Sequence, residues 1–97
     1  MFMKIHQSPG CPDVIAVCDA ELINTTITGG DLKMQIHESF YGTRKVNADE
    51  VKAAISKGDS INLMGERAVA IAINLGLASR ADCIMIDSVP HVQIYRL

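Results

Sequence analysis

The sequence predicts an α+β domain: a largely antiparallel sheet of about five strands with two main helices packed on one face. Three observations carry that prediction. Short segments with strand periodicity lead the chain, helix-like segments cluster in its second half, and two more strand-like segments close it. Ninety-seven residues suit a single domain, 1–97, with one core.

Phe2–His6 is the first predicted strand, with Phe2, Lys4 and His6 on one face and Met3 and Ile5 on the other. Ser8-Pro-Gly-Cys-Pro-Asp13 is dense in residues that interrupt ladders and forms a connector. Val14–Cys18 is continuously apolar, which suits a central strand, and it forms a hairpin with the first. Asp19 to Asn24 is read as a single helical turn capped by Asp19, and 25–30 as a polar connector.

Residues 32–37 alternate cleanly, sending Leu32, Met34 and Ile36 inward and Lys33, Gln35 and His37 outward, as in a half-buried strand. Ser39–Thr43 follows as an aromatic-glycine loop. The next helix, Asn47 to Lys57, has a marked start and stop. Asn47 caps it, Glu50 completes a capping box, Gly58 ends it, and Val51, Ala54 and Ile55 form its apolar stripe.

The stretch 61–77 is the most apolar of the chain. Val69, Ile71 and Ile73 alternate with Ala68, Ala70 and Ala72, which is a strand period. Alanine, however, is the best helix former and is depleted in strands. Gly76-Leu77 has the form of a helix stop, and Glu66 suits the positive end of a helix dipole. Residues 65–75 are therefore read as a helix buried on most faces. Cys83–Asp87 is a short strand, Ser88–His91 a turn, and Val92–Tyr95 the last strand, with His91, Gln93 and Tyr95 sharing a face.

Apolar residues make up 48% and charged residues 21%, an ordinary globular balance that excludes disorder. Two Tyr, two Phe and no Trp leave an aliphatic core and few base-stacking platforms. Nine basic against eleven acidic residues give a net charge of −2, which argues against broad phosphate binding and makes DNA an unfavoured partner. The longest apolar run, Ala68 to Ile73, is six residues. A membrane span needs about 20 and a signal-peptide core about 7–15, so no membrane association is expected and a cytoplasmic location is. Cys11, Cys18 and Cys83 are odd in number and widely spaced, as free thiols in a reducing compartment are.

For chemistry, the start of the main helix stands out. Free backbone N–H groups at Gly65, Glu66 and Arg67, with Asn62 just before them, form a natural anion site to which Arg67 adds a bidentate clamp. The structural alternative has Asn62 capping a turn, Gly65 allowing close packing, and Glu66 and Arg67 solvated. No phosphate-loop string is present. His91 and Gln93, with Tyr95 beyond, either line a pocket or form the wet face of an edge strand. No Cys-x-x-Cys or His-x-x-x-His occurs among the cysteines and His6, His37 and His91, so no metal and no cofactor are expected. Cys18 and Cys83 fall in apolar strands, where thiols are inert; Cys11 is the accessible one.

Phe40-Tyr-Gly42, Asn62-Leu-Met-Gly-Glu66 and Val89-Pro-His-Val-Gln93, in that order, resemble a small archaeal family, domain of unknown function 424. Lys4-Ile-His6 and the Cys18-Asp19 step are similar too, and the resemblance spans nearly the whole chain. It places any shared site at Tyr41, Gly42, Asn62, Gly65, Glu66, His91 and Gln93. Thr43 stands where the family's pattern has a second glycine. The family carries no established activity; the resemblance implies a link to archaeal information processing, translation above all.

Two functional expectations follow. The first is a non-catalytic binding module that docks on protein or RNA. The second is a small-ligand or anion pocket, with or without catalysis, between the 62–67 helix start and the 90–95 strand. A third account has the motifs specifying the fold alone. Five methionines and few charges on the strand faces leave apolar surface that a homo-oligomer would cover.

Overall fold

The computed structural model describes residues 1–96. A five-stranded sheet has the spatial order β1 (Phe2–His6), β2 (Val14–Cys18), β5 (Ser60–Met64), β7 (Val89–Tyr95), β6 (Ile84–Ile86). A separate two-stranded hairpin consists of β3 (Thr26–Gly29) and β4 (Leu32–Gln35). The helices are α1 (Glu38–Tyr41), α2 (Ala48–Lys57) and α3 (Glu66–Asn74), with 3-10 turns at Ala20–Leu22 and Arg80–Asp82.

The class is α+β, but the sheet is mixed where the sequence predicts it largely antiparallel. The difference comes from β2 and β5, which run parallel in the register Ile15↔Ile61 and Val17↔Leu63. Parallel neighbours need a crossover of a dozen residues or more, and residues 19–59 supply it. The remaining main-sheet pairs, β1–β2, β5–β7 and β6–β7, are antiparallel.

Strand β5, at the centre of the sheet, has no counterpart in the sequence expectations. Residues 25–30, expected as a connector, contain β3. The 32–37 strand shortens to β4 and lies outside the main sheet, where Leu32 is exposed and Ile36 is buried just past the strand end. The expected 39–43 loop contains α1, giving three helices instead of two. The final turn falls at Asp87-Ser88, both with positive φ as in a two-residue hairpin, so β7 begins at Val89. Pro90 fits within β7 because its carbonyl accepts from Gly65 N–H. Its backbone therefore faces β5, leaving Val89 and His91 to bond β6.

The two main helices form as their sequences dictate. Asn47 and Glu50 make the reciprocal capping box of α2, at 2.9 and 3.2 Å, and an N-cap of this kind contributes about 1 kcal/mol. In α3, Ala68, Val69 and Ala72 are fully buried; the small alanines let the helix lie close to the sheet. Its end is a Schellman closure: Leu77 N–H bonds the Ala72 carbonyl and Gly76, at φ 74°, bonds that of Ile73.

Helices α2 and α3 cover one sheet face, over Met3, Ile15, Val17, Ile61, Leu63 and Val92. The opposite face carries Ala16, Cys18 and Met64, covered by Tyr41 of α1 and by Ile27 and Ile36 of the hairpin region. Thus α1 lies across the sheet from the other helices. Each buried aliphatic side chain contributes roughly 1.5–3 kcal/mol relative to exposure, so both faces hold the sheet. The hairpin tip touches the β6–β7 turn at Gly29, where a Cβ would come within 2.7 Å of Asp87 N.

Candidate functional site

The C-terminal ends of β2 and β5 lie side by side because the two strands are parallel, with Cys18 opposite Met64. Asp19 therefore emerges at the start of α3, anchored by its N–H to the Met64 carbonyl at 3.0 Å. Its carboxylate accepts from Arg67 N–H at 3.1 Å and Ala68 N–H at 2.9 Å, and the residue is buried. Where the sequence predicts an external anion, the chain supplies its own carboxylate, which satisfies the orphan donors of the helix start. Asp19 makes no side-chain cap to the turn at Ala20–Leu22 that follows it.

Gly65 makes this closure fit. Its φ of 109° is a conformation only glycine adopts readily, and a Cβ would fall within 2.6 Å of Asp19 Oδ2. The side chains of Glu66 and Arg67 point to the surface. Glu66 accepts from Arg80 at 2.8 Å, and Arg67 pairs with Glu21 at 3.5 Å. The bidentate clamp expected of Arg67 is thus turned toward a carboxylate of the same chain.

The other sequence-singled residues gather on the face opposite α2 and α3. Tyr41 is buried and donates its hydroxyl to Asn62 Oδ1 at 2.7 Å. Asn62 lies directly opposite Gln93, and Met64 opposite His91, in the β5–β7 ladder. Gln93 Oε1 accepts from Tyr95 hydroxyl at 2.8 Å. Phe40 packs edge-on against Tyr41 and stacks on His6, whose Nε2 donates to the Phe40 carbonyl at 2.7 Å. Gly42 ends α1 against β1, where a Cβ would lie 3.0 Å from that of Lys4. Tyr41, Asn62, Gln93 and His91 therefore share one side of the sheet, and Gly65 is tied to the strand that carries His91 and Gln93 through its N–H bond to the Pro90 carbonyl.

Burial, and after it the adjacent Asp19 charge, pushes the Cys18 thiol from its ordinary 9.0 up to about 11. Burial, then nearby Cys18, raises the Tyr41 phenol as well. Both groups are neutral in the fold and ionise more readily once unfolded. The Cys18 contribution to stability is fully present below the ordinary thiol value of 9.0 and is lost as the pH climbs through about 11, and that of Tyr41 is lost at higher pH still. The melting temperature is accordingly expected to hold level up to pH 9.0 and fall steeply toward about 11, with Cys18→Ala giving a shallower fall. A native melting temperature unchanged across that window, followed by circular dichroism, would contradict this.

Between the hairpin and the β6–β7 pair opens a cleft of about 390 Å³. Leu32 and Met34 form one wall, Ile84 and Ile86 the other, and Lys33, Asp82, His91 and Gln93 contribute polar groups. Leu32 and Ile84 are 53% and 56% exposed, and Met85 on the outer strand β6 is 52% exposed. His91 is only 6% exposed, and its Nδ1 donates to the Leu63 carbonyl at 2.9 Å. Sequence reasoning found His91 and Gln93 from their shared strand face. It missed the opposing wall, because nothing local in Leu32–Met34 says that β4 stands over β6 and β7.

Among solved structures, the chain is similar to an uncharacterised conserved protein from Methanopyrus kandleri. The two share 28% identity with a TM-score of 0.80, over 99% of this chain and 90% of the other. No curated protein matches it. The family described as protein of unknown function, DUF424, matches residues 6–97, and the chain belongs to that family.

Proposed function

We propose that the protein is a binding module that docks on a protein partner through the cleft between the β3–β4 hairpin and β6–β7. The observation that supports this most is the pair of exposed apolar side chains, Leu32 and Ile84, on the facing walls of that cleft. Apolar surface gathered at a concave site is the usual form of a docking or ligand site. The net charge of −2 and the apolar walls favour protein over RNA. A role in information processing, translation above all, rests on the family resemblance.

A small apolar ligand is the second reading, favoured by the cleft volume, which falls among those of ligand pockets. In that reading the anion-binding part moves away from the α3 start, where Asp19 already fills the donors.

Affinity purification from native cells with the wild type, Leu32→Asp/Ile84→Asp and a Lys52→Glu control on exposed α2 tests the proposal. The wild type and the control are expected to retain the same protein at near-stoichiometric yield, and the cleft variant to lose it. Retention by the cleft variant, or recovery of a small molecule alone, would overturn it.

A further inference from the structure

We infer that the partner docks as an extended segment, pairing with the outer edge of β7 at Gln93 and Tyr95 and seating a tyrosine in the cleft against His91. This rests on the binding-module reading and specifies its chemistry.

Strand β7 has seven residues and its outer neighbour β6 only three, so their ladder ends at Ile84↔His91. Backbone direction beyond that point follows from alternation in an antiparallel pair. The Pro90 carbonyl accepts from Gly65 N–H, and Arg96 N–H donates to the Asp59 carbonyl, so the even-numbered residues face β5. The odd-numbered residues face outward. Val89 and His91 are taken by β6, while the N–H and carbonyl groups of Gln93 and Tyr95 face an edge to which no strand pairs among the described residues. Open edges of this kind accept an added strand. Only a polypeptide offers N–H and C=O groups at the matching repeat of about 7 Å per two residues.

The anchor follows from His91. Its Nδ1 faces a carbonyl, which only accepts, so Nδ1 carries the hydrogen and in the neutral ring Nε2 is an acceptor. Nε2 has no partner among the described residues, yet no buried side-chain polar atom lacks one, so this nitrogen retains contact with solvent. With the residue more than nine-tenths buried and lining the cleft, that contact opens into the cleft. The cleft walls are largely apolar; Lys33, Asp82 and Gln93 in its lining are exposed, and His91 is its buried polar side chain, so a side chain with an apolar body and a donor tip, as tyrosine has, suits it. Gln93 Oε1 is held by the Tyr95 hydroxyl, which leaves the Gln93 amide N–H groups available at the mouth.

The test uses the full-length, ¹⁵N-labelled protein with a capped peptide, Thr-Val-Thr-Tyr-Thr-Val-Thr, that alternates as a strand. Companion probes are the same peptide with Phe at the centre, a copy N-methylated beside the tyrosine, and p-cresol alone. The tyrosine peptide is expected to shift Leu32, Ile84 and His91 resonances and to slow amide exchange at Gln93 and Tyr95. The phenylalanine peptide is expected to bind about tenfold more weakly, because it leaves the His91 acceptor unpaired, and the N-methylated copy to bind without protecting the edge. Equal affinity of the Tyr and Phe peptides, or edge protection that is indifferent to methylation, would overturn the inference. So would protection of Gln93 and Tyr95 that grows with protein concentration alone, since a second copy would then be the occupant. If p-cresol fills the cleft while no peptide protects the edge, strand pairing falls and the cleft remains the recognition surface.

Discussion

Replacing Gly65 by alanine is expected to lower the melting temperature by about 20 °C. Two effects add. A non-glycine residue at φ 109°, ψ 158° costs about 1–3 kcal/mol in backbone strain alone. The new Cβ also falls within 2.6 Å of Asp19 Oδ2 and forces that carboxylate away from the helix start. Losing its two bonds to backbone N–H groups costs roughly 2–3 kcal/mol more. A total near 4 kcal/mol is a large share of the roughly 5–15 kcal/mol that holds a domain. Thermal denaturation followed by circular dichroism reads the change. A fall below about 5 °C would mean that Asp19 and Gly65 are not held in this contact.

Asp19→Ala is the second large effect. It leaves the Ala68 N–H buried and without an acceptor and removes a carboxylate from the positive end of α3, at an expected cost of about 3 kcal/mol. Asp19→Asn keeps one acceptor oxygen and is expected to lose about half as much. Glu66→Gln and Arg67→Ala, by contrast, change only surface pairs and are expected to leave the melting temperature nearly where it is. Phosphate is then expected to raise the melting temperature of Asp19→Ala more than that of the native chain, because the vacated N–H groups accept an outside anion. If Glu66→Gln destabilised as much as Asp19→Ala, the assignment of the capping carboxylate would be wrong.

Local features of the fold were legible in the sequence. The start of α2 is written in Asn47 and Glu50, and both form the bonds expected of them. The helix assignment of α3 over a competing strand period holds because Ala68 and Ala72 pack against the sheet, where alanine fits a close helix. Strand β5 was hidden for a physical reason. It is covered on both faces, so Ile61, Leu63 and Met64 give no clean alternation and merge with the apolar run of α3. The alternation of 32–37 predicts a strand with Leu32 inward; only 32–35 forms one and Leu32 is exposed, because periodicity names a face and never a partner strand.

The candidate site was legible in the same uneven way. His91, Gln93 and Tyr95 announce a common face by their spacing. The role of Asp19 does not show, because its acceptors' partners lie 48 and 49 residues along the chain. Local chemistry offers the turn just after it as the natural beneficiary, and only the parallel pairing of β2 with β5 redirects the carboxylate to α3. The cleft likewise depends on a hairpin folded over another sheet, a contact that no single segment encodes.

The proposed docking places recognition at the cleft beside His91 and not at the start of α3, where Asp19 fills the donors. Photo-crosslinking in native cells is the decisive test, with a benzophenone side chain placed in turn at Leu32, Ile84, Glu66 and Lys52, all of them exposed. One discrete protein adduct is expected from Leu32 and Ile84 and none from Lys52 or Glu66. The same adduct arising from Glu66, with nothing captured at Leu32 or Ile84, would contradict it.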